Sequence, residues 1–353
     1  MRTFIFGAGA SLDSQKGHVV HDNAIPPLTN DLFNPRYGDF AKMVGISEPD
    51  MNRYRNEITK HTSLEDWLTS EWEKTKTLTL DSSKQAQFGA LGQITFYIWL
   101  VLCNVSKWMY KNEYQSRDSN AYEELLTRIK VSDSPFGLVN FNYDLLLDYA
   151  LKDVFKITLH GIDDYLQHSY VKPHGSVNWL LTKRETDSVI DRTHEHNMDT
   201  RVRLDTASSL IYKDEQIPMS GLLVKEPDHR DLYTIDDLLR SFESQYFYPL
   251  IFLPLTLKSY SSISGFEDKI IAKGKSLVEE ASEIYLIGYK ANDSIIQEMM
   301  GGLTRKTRIN VVGLSSVGAI MEKVLTFNSN LVKGELYDQG FHHFAYNVIF
   351  DKT

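Results

Sequence analysis

Apolar residues follow two kinds of pattern along the chain. Short runs stand at Phe4-Ile5-Phe6, at Phe136 to Phe141, and at Tyr248 to Leu253, Glu283 to Ile287 and Ile309 to Val312, and these predict strands. Helical spacing fills the intervals. Leu145, Leu146, Tyr149 and Ala150 mark a helix over Asp144 to Asp153, and further helices are predicted over Ser262 to Glu280, Asp293 to Leu303 and Val317 to Phe327. Strands alternating with helices predict a Rossmann-like α/β fold, a parallel sheet with helices on both faces.

Residues 46–130 interrupt that alternation. From about Ser63 to Lys130, Leu64, Trp67, Leu68, Trp72, Phe88, Leu91, Ile94, Ile98, Leu102, Tyr122, Leu125, Leu126 and Ile129 recur at helical spacing and predict a helical insertion with an aromatic stripe facing a core. The sheet domain is then expected over 1–45 and 131–353. Within it, Lys183 to Asp231 is polar and without steady periodicity, which reads as a loop-rich excursion. His18 to Pro27 reads as a loop, and Leu28 to Phe33 resumes a helix-like pattern.

Composition narrows the class of protein. With 353 residues, 42% of them hydrophobic, the chain can bury one large core or a core with a smaller satellite. A net charge of -9 argues against a surface built to hold phosphate backbones, so no direct nucleic-acid binding is expected. The first residues lack the layout of a signal peptide, which predicts a cytoplasmic protein. The longest apolar stretch, Ile94 to Val105, is too short to span a bilayer and is expected as a buried helix, with no membrane segment. It contains the single cysteine, Cys103, and one thiol excludes both an intrachain disulfide and a multi-cysteine zinc site.

Three short blocks carry candidate chemistry. Gly7-Ala8-Gly9-Ala10-Ser11 follows the first strand, where bare glycines either let backbone N–H groups approach a pyrophosphate or let a strand and a helix pack closely. A dinucleotide dehydrogenase would need a third glycine where Leu12 stands, and a strand before its acid where Pro26 and Pro27 stand, so hydride transfer is disfavoured. Asn142 and Asp144 fall where the strand ending at Phe141 gives way to a helix, the edge at which open α/β sheets bind ligands. There Asn142 offers a neutral donor and acceptor, and Asp144 serves either a ligand or the helix cap. His174, in Lys172-Pro173-His174-Gly175-Ser176, can take a proton near neutral pH. The rival His160-Gly161 pair reads as structural, and Thr193-His194-Glu195-His196 and His342-His343 read as solvated residues without a metal.

In order and spacing these blocks resemble the signature blocks of the sirtuin superfamily, and the late segment Tyr285 to Asp293, with Gly288 and Tyr289, is similar to its bacterial sirtuin-like NADase branch. The resemblance covers roughly residues 1–45 and 131–330 of the sheet domain. It implies that Gly7, Ala8, Gly9, Ala10, Ser11, Gly288 and Tyr289 bind NAD, that Asn142 holds the nicotinamide ribose and a water, that His174 is the base, and that Asp144 lies near the nicotinamide. Deacetylating sirtuins carry a four-cysteine zinc module and a Gly-Ile-Pro-Asp-Phe-Arg stretch. This chain has one cysteine and reads Ala24-Ile25-Pro26-Pro27-Leu28-Thr29, so a builder for the acetyl-lysine groove is lacking. Asn140-Phe141 also replaces the pair usual before the asparagine.

The expected function is hydrolysis of the nicotinamide–ribose bond of NAD, with NAD as substrate and no metal. A sensor that only binds NAD or ADP-ribose, and an NAD-dependent deacylase, are the competing expectations. The resemblance further implies an abortive-infection effector in antiphage defence, active as a homo-oligomer or with a separately encoded sensor or ATPase partner.

Overall fold

The computed structural model describes residues 1–14, 22–61, 64–116, 120–184, 219–225, 245–251, 266–348 and 350. Its centre is a six-stranded parallel sheet formed by β1 (Arg2–Phe6), β2 (Phe136–Asn140), β3 (Tyr170–Val171), β7 (Glu283–Ile287), β8 (Thr307–Val312) and β9 (Leu331–Tyr337). Their order is β3-β2-β1-β7-β8-β9, with β1 pairing β2 on one side and β7 on the other. Four consecutive residues are buried in each of β1, β2, β7 and β8, the mark of strands covered on both faces. The fold is therefore the Rossmann-like α/β arrangement that the sequence pattern predicts.

Between β1 and β2 the chain runs through α1 (Ala8–Asp13), α2 (Gly38–Met43), α3 (Glu48–Ile58), α4 (Leu64–Lys76), α5 (Asp81–Ser116) and α6 (Ala121–Ser132). The run from Ile94 to Val105, too short by itself to span a bilayer, is expected as a buried helix. It is the middle of a 36-residue helix whose part from Asp81 to Trp108 is, by length and composition alone, apolar enough to cross a membrane. Phe96, Tyr97, Ile98, Trp99 and Val101 are nonetheless all buried, on successive sides of the helix, as in the central helix of a core. One contiguous apolar cluster joins these side chains to those of the sheet.

Three expectations change. The strand at Tyr248 to Leu253 exists as β6 (Gln245–Ile251), but it does not join the parallel sheet. It pairs antiparallel with β4 (Gly175–Arg184), whose other neighbour is β5 (Met219–Val224). That second sheet also puts a strand inside the segment expected to be loop-rich; most of that segment, with Thr193 to His196, lies outside the described residues. Leu28 to Phe33 holds only a single 3-10 turn, Thr29–Asp31. The remaining helices are α7 (Leu146–Phe155), α8 (Ile162–Gln167), α9 (Phe266–Glu279), α10 (Ser294–Gly301), α11 (Val317–Leu325) and α12 (Gly340–Asn347).

Candidate functional site

Strand order reverses between β1 and β7, and in an open parallel sheet the crevice beyond the carboxyl ends at such a reversal is the natural ligand site. Every candidate block lies at that edge. Gly7 follows β1, Phe141 to Asp144 follow β2, Lys172 to His174 follow β3, and Gly288 with Tyr289 follow β7.

The glycines seat the β1 and β7 turns against each other. Gly7 N–H donates to Ile287 O and Gly9 N–H to Gly288 O, both at 3.0 Å. Gly288 has φ +58°, and a Cβ there would lie 2.1 Å from the Ala10 nitrogen, so only glycine fits. A Cβ on Gly7 would lie 2.5 Å from Cδ2 of Tyr289, whose ring stacks on Phe141 with centroids 4.6 Å apart. Close packing of the two turns, one of the two readings of the opening block, thus accounts for the bare backbone at Gly9. Ala10 N–H is also used internally, on Gly7 O at 2.8 Å.

Asn142 reaches back to this turn. Its Nδ2 donates to Gly7 O at 2.9 Å and to Ser11 Oγ at 3.0 Å, with the Tyr122 hydroxyl at 3.4 Å. Its own N–H is held by Asn140 Oδ1 at 3.0 Å, which gives Asn140 a local task. Among the described residues no donor takes up Asn142 Oδ1. Ser11 in turn donates to Asp144 Oδ2 at 2.8 Å, and Asp144 Oδ1 accepts the Leu146 N–H at 3.1 Å. The carboxylate therefore ends the loop before α7 and also holds Ser11. Burial pushes its carboxyl up, against the opposing pull of Lys172, the Ser11 hydroxyl and the Leu146 N–H.

His174 lies at the next strand end, packed against the residues on either side of Asn142. Its ring meets Phe141 edge-on at 4.9 Å between centroids and stacks on Tyr143 at 5.8 Å. His174 Nε2 is hydrogen-bonded to the carboxylate of Asp293. Burial alone would raise that carboxyl, but the hydrogen bond and charge of His174, with the Ile295 N–H on Oδ1 at 2.6 Å, hold it below the ordinary carboxylate value. A histidine hydrogen-bonded to a carboxylate has its ring orientation and tautomer set by that partner. His160, by contrast, is exposed, and its N–H is bound by Asp164 at the start of α8.

Several members of the site were not assigned roles from the sequence. Asp293 closes the block Tyr285 to Asp293, but its pairing with a residue 119 positions away leaves no local signal. Tyr122 read as core, and it is fully buried, yet its hydroxyl lies 3.0 Å from Ser11 Oγ and links the helical insertion to the site. Lys172 and Asp148 form an ion pair with no exposed side-chain surface, which apolar patterning cannot reveal. Among the described residues no group of three His, Cys, Asp or Glu side chains could hold a metal ion. Neither a protein-family model nor a curated protein matches this chain, so the chemistry of the site is read from its own residues.

Proposed function

We propose that the protein hydrolyses the nicotinamide–ribose bond of NAD to nicotinamide and ADP-ribose. The observation that carries this reading is the grouping of Asn142 with the opening turn and of His174 with the rings flanking Asn142, at the strand ends where the sheet order reverses. In the reaction the C1′–N bond breaks with its electron pair passing to the nicotinamide nitrogen, so a cationic ring leaves as a neutral molecule. The ribose carbon becomes oxocarbenium-like and is captured by water.

Asn142 Oδ1 accepts from a ribose hydroxyl or the attacking water, while its Nδ2 stays fixed on Gly7 and Ser11. His174 takes the water proton and Asp293 stabilises the imidazolium that forms. Asp144 holds the Ser11 hydroxyl, which in turn accepts from Asn142 Nδ2, and so fixes the amide that faces the ribose. Unrestrained NAD hydrolysis would be toxic, so activity is held back until a partner or self-assembly releases it, as in an abortive-infection effector. Tyr122 and the Trp99 Nε1–H bond to Val177 O give the helical insertion a route to the site.

The test is turnover of a fluorogenic NAD analogue by the full chain, alone and with the products of neighbouring genes. Signal lost in Asn142→Ala and in His174→Ala is the expected result. Tight NAD binding without turnover would make the protein a sensor, and nicotinamide release that depends on an acetylated peptide would make it a deacylase.

A further inference from the structure

The loops that carry Asn142 and His174 meet over one buried ammonium. Lys172 Nζ donates to the Asp144 carbonyl at 2.6 Å, to Ser176 Oγ at 2.7 Å and to Asp148 Oδ2 at 3.1 Å. These acceptors belong to three separate pieces of the fold: the loop after β2, the helix α7 and the start of β4. Asp148 also accepts the Tyr165 hydroxyl at 2.8 Å and the Tyr170 hydroxyl at 2.9 Å. Tyr170 in turn accepts Asn140 Nδ2 at 3.1 Å, and Asn140 Oδ1 holds the backbone N–H of Asn142. A continuous chain of hydrogen bonds therefore runs from Asn142 to the residue two before His174.

Two physical points set this cluster apart from ordinary packing. Burying an ion pair with no exposed side-chain surface carries a desolvation penalty that apolar residues of the same volume would avoid, so stability alone does not account for it. Moreover, an ammonium is a compact point charge with three rotatable donors, and here each donor meets an acceptor on a different element. The backbone adds the Val177 N–H to Tyr143 O bond at 3.0 Å, which clips β4 to the same loop.

We infer that Lys172, with Asp148 as its counter-ion, is a positioning residue that sets the register of the Asn142 loop against the His174 loop. The inference rests on the NAD hydrolase reading for its kinetic consequence, but its geometric content stands apart from it. A displacement of about 1 Å in such a constellation costs about 100-fold in rate with little effect on ground-state binding.

The deciding experiment compares wild type with the double variant Lys172→Met, Asp148→Leu, which replaces the ion pair by apolar groups without leaving a lone buried charge. The expected result is a folded protein whose kcat for NAD hydrolysis falls about 100-fold while KM changes less than about threefold. Its crystal structure should show residues 172–176 displaced from the Asn142 loop. An unchanged kcat with the loop in its wild-type place overturns the inference. If wild type hydrolyses no NAD under any condition, the hydrolase reading fails, and the loop position in the two crystal structures alone decides the positioning role. Should the double variant not fold, Ser176→Ala removes one acceptor and strands no charge. A fall in kcat of about tenfold at constant KM then supports the role, and unchanged kinetics overturn it.

Discussion

His174 Nε2 and the Asp293 carboxylate, 119 residues apart in sequence, are hydrogen-bonded across the carboxyl edge of the sheet. The pair joins the end of β3 to the start of α10, and it makes two measurements informative. Asp293→Asn keeps the shape but removes the charge that would stabilise an imidazolium, so turnover of NAD should fall by about 100-fold or more. Activity within a few-fold of wild type would remove His174 from the role of base.

The same pair has a signature in stability. The folded protein holds the Asp293 carboxyl below its ordinary value of 3.8, so its contribution is present above that value and is lost as pH falls through the lowered folded value. Denaturation midpoints of wild type and Asp293→Asn should therefore converge as the solution is acidified below about pH 4. A gap independent of pH would contradict the pairing.

Asp144 predicts the opposite sign. Burial raises its carboxyl, so the fold favours the neutral form; that contribution is complete below the ordinary value of 3.8 and is lost as pH rises through the raised folded value. Asparagine stays neutral throughout, so the stability of Asp144→Asn should improve relative to wild type as pH rises above 3.8 toward the raised folded value. Urea titrations across that range measure it, and a difference moving the other way would mean that Asp144 is held as the anion.

Asn142→Asp is the sharpest change at the site. It replaces the donor facing Gly7 O and Ser11 Oγ with a second acceptor, beside the buried Asp144, and should cost about 1–3 kcal/mol of stability along with turnover. A variant as stable as wild type would show that the amide is turned over, with its oxygen toward the turn.

Gly288→Ala tests the seating of the two strand ends. A methyl group there meets the Ala10 nitrogen at 2.1 Å on a backbone with φ +58°, and should cost about 2 kcal/mol or more. Gly318→Ala, in a helix with open space around the added carbon, should instead stabilise by about 0.5–1 kcal/mol. Equal effects in thermal denaturation would place the β1 and β7 turns further apart than described.

Much of this was legible before any fold was known, for a physical reason. A parallel strand buried on both faces leaves an unbroken apolar run, and a helix leaves its own period, so β1, β2, β7, β8 and most helices could be read directly. The edge strand β9 could not, because Val332, Lys333, Glu335 and Leu336 are exposed and the run that marks a buried strand is missing. Nor could the sheet to which β6 belongs, since pairing with β4 is a contact between distant segments.

Side-chain types at strand ends were local facts, and by themselves they determined that Asn142, Asp144, His174 and the glycine turns would gather at one edge of a parallel sheet. What each of those groups faces was decided only by tertiary structure. Asp293 on His174, Tyr122 on Ser11, and Lys172 among Asp144, Asp148 and Ser176 are hydrogen bonds closed between segments far apart in the chain. Such bonds leave no period in the sequence, because a buried polar side chain is set by the partner it meets across the fold and not by its neighbours along the chain.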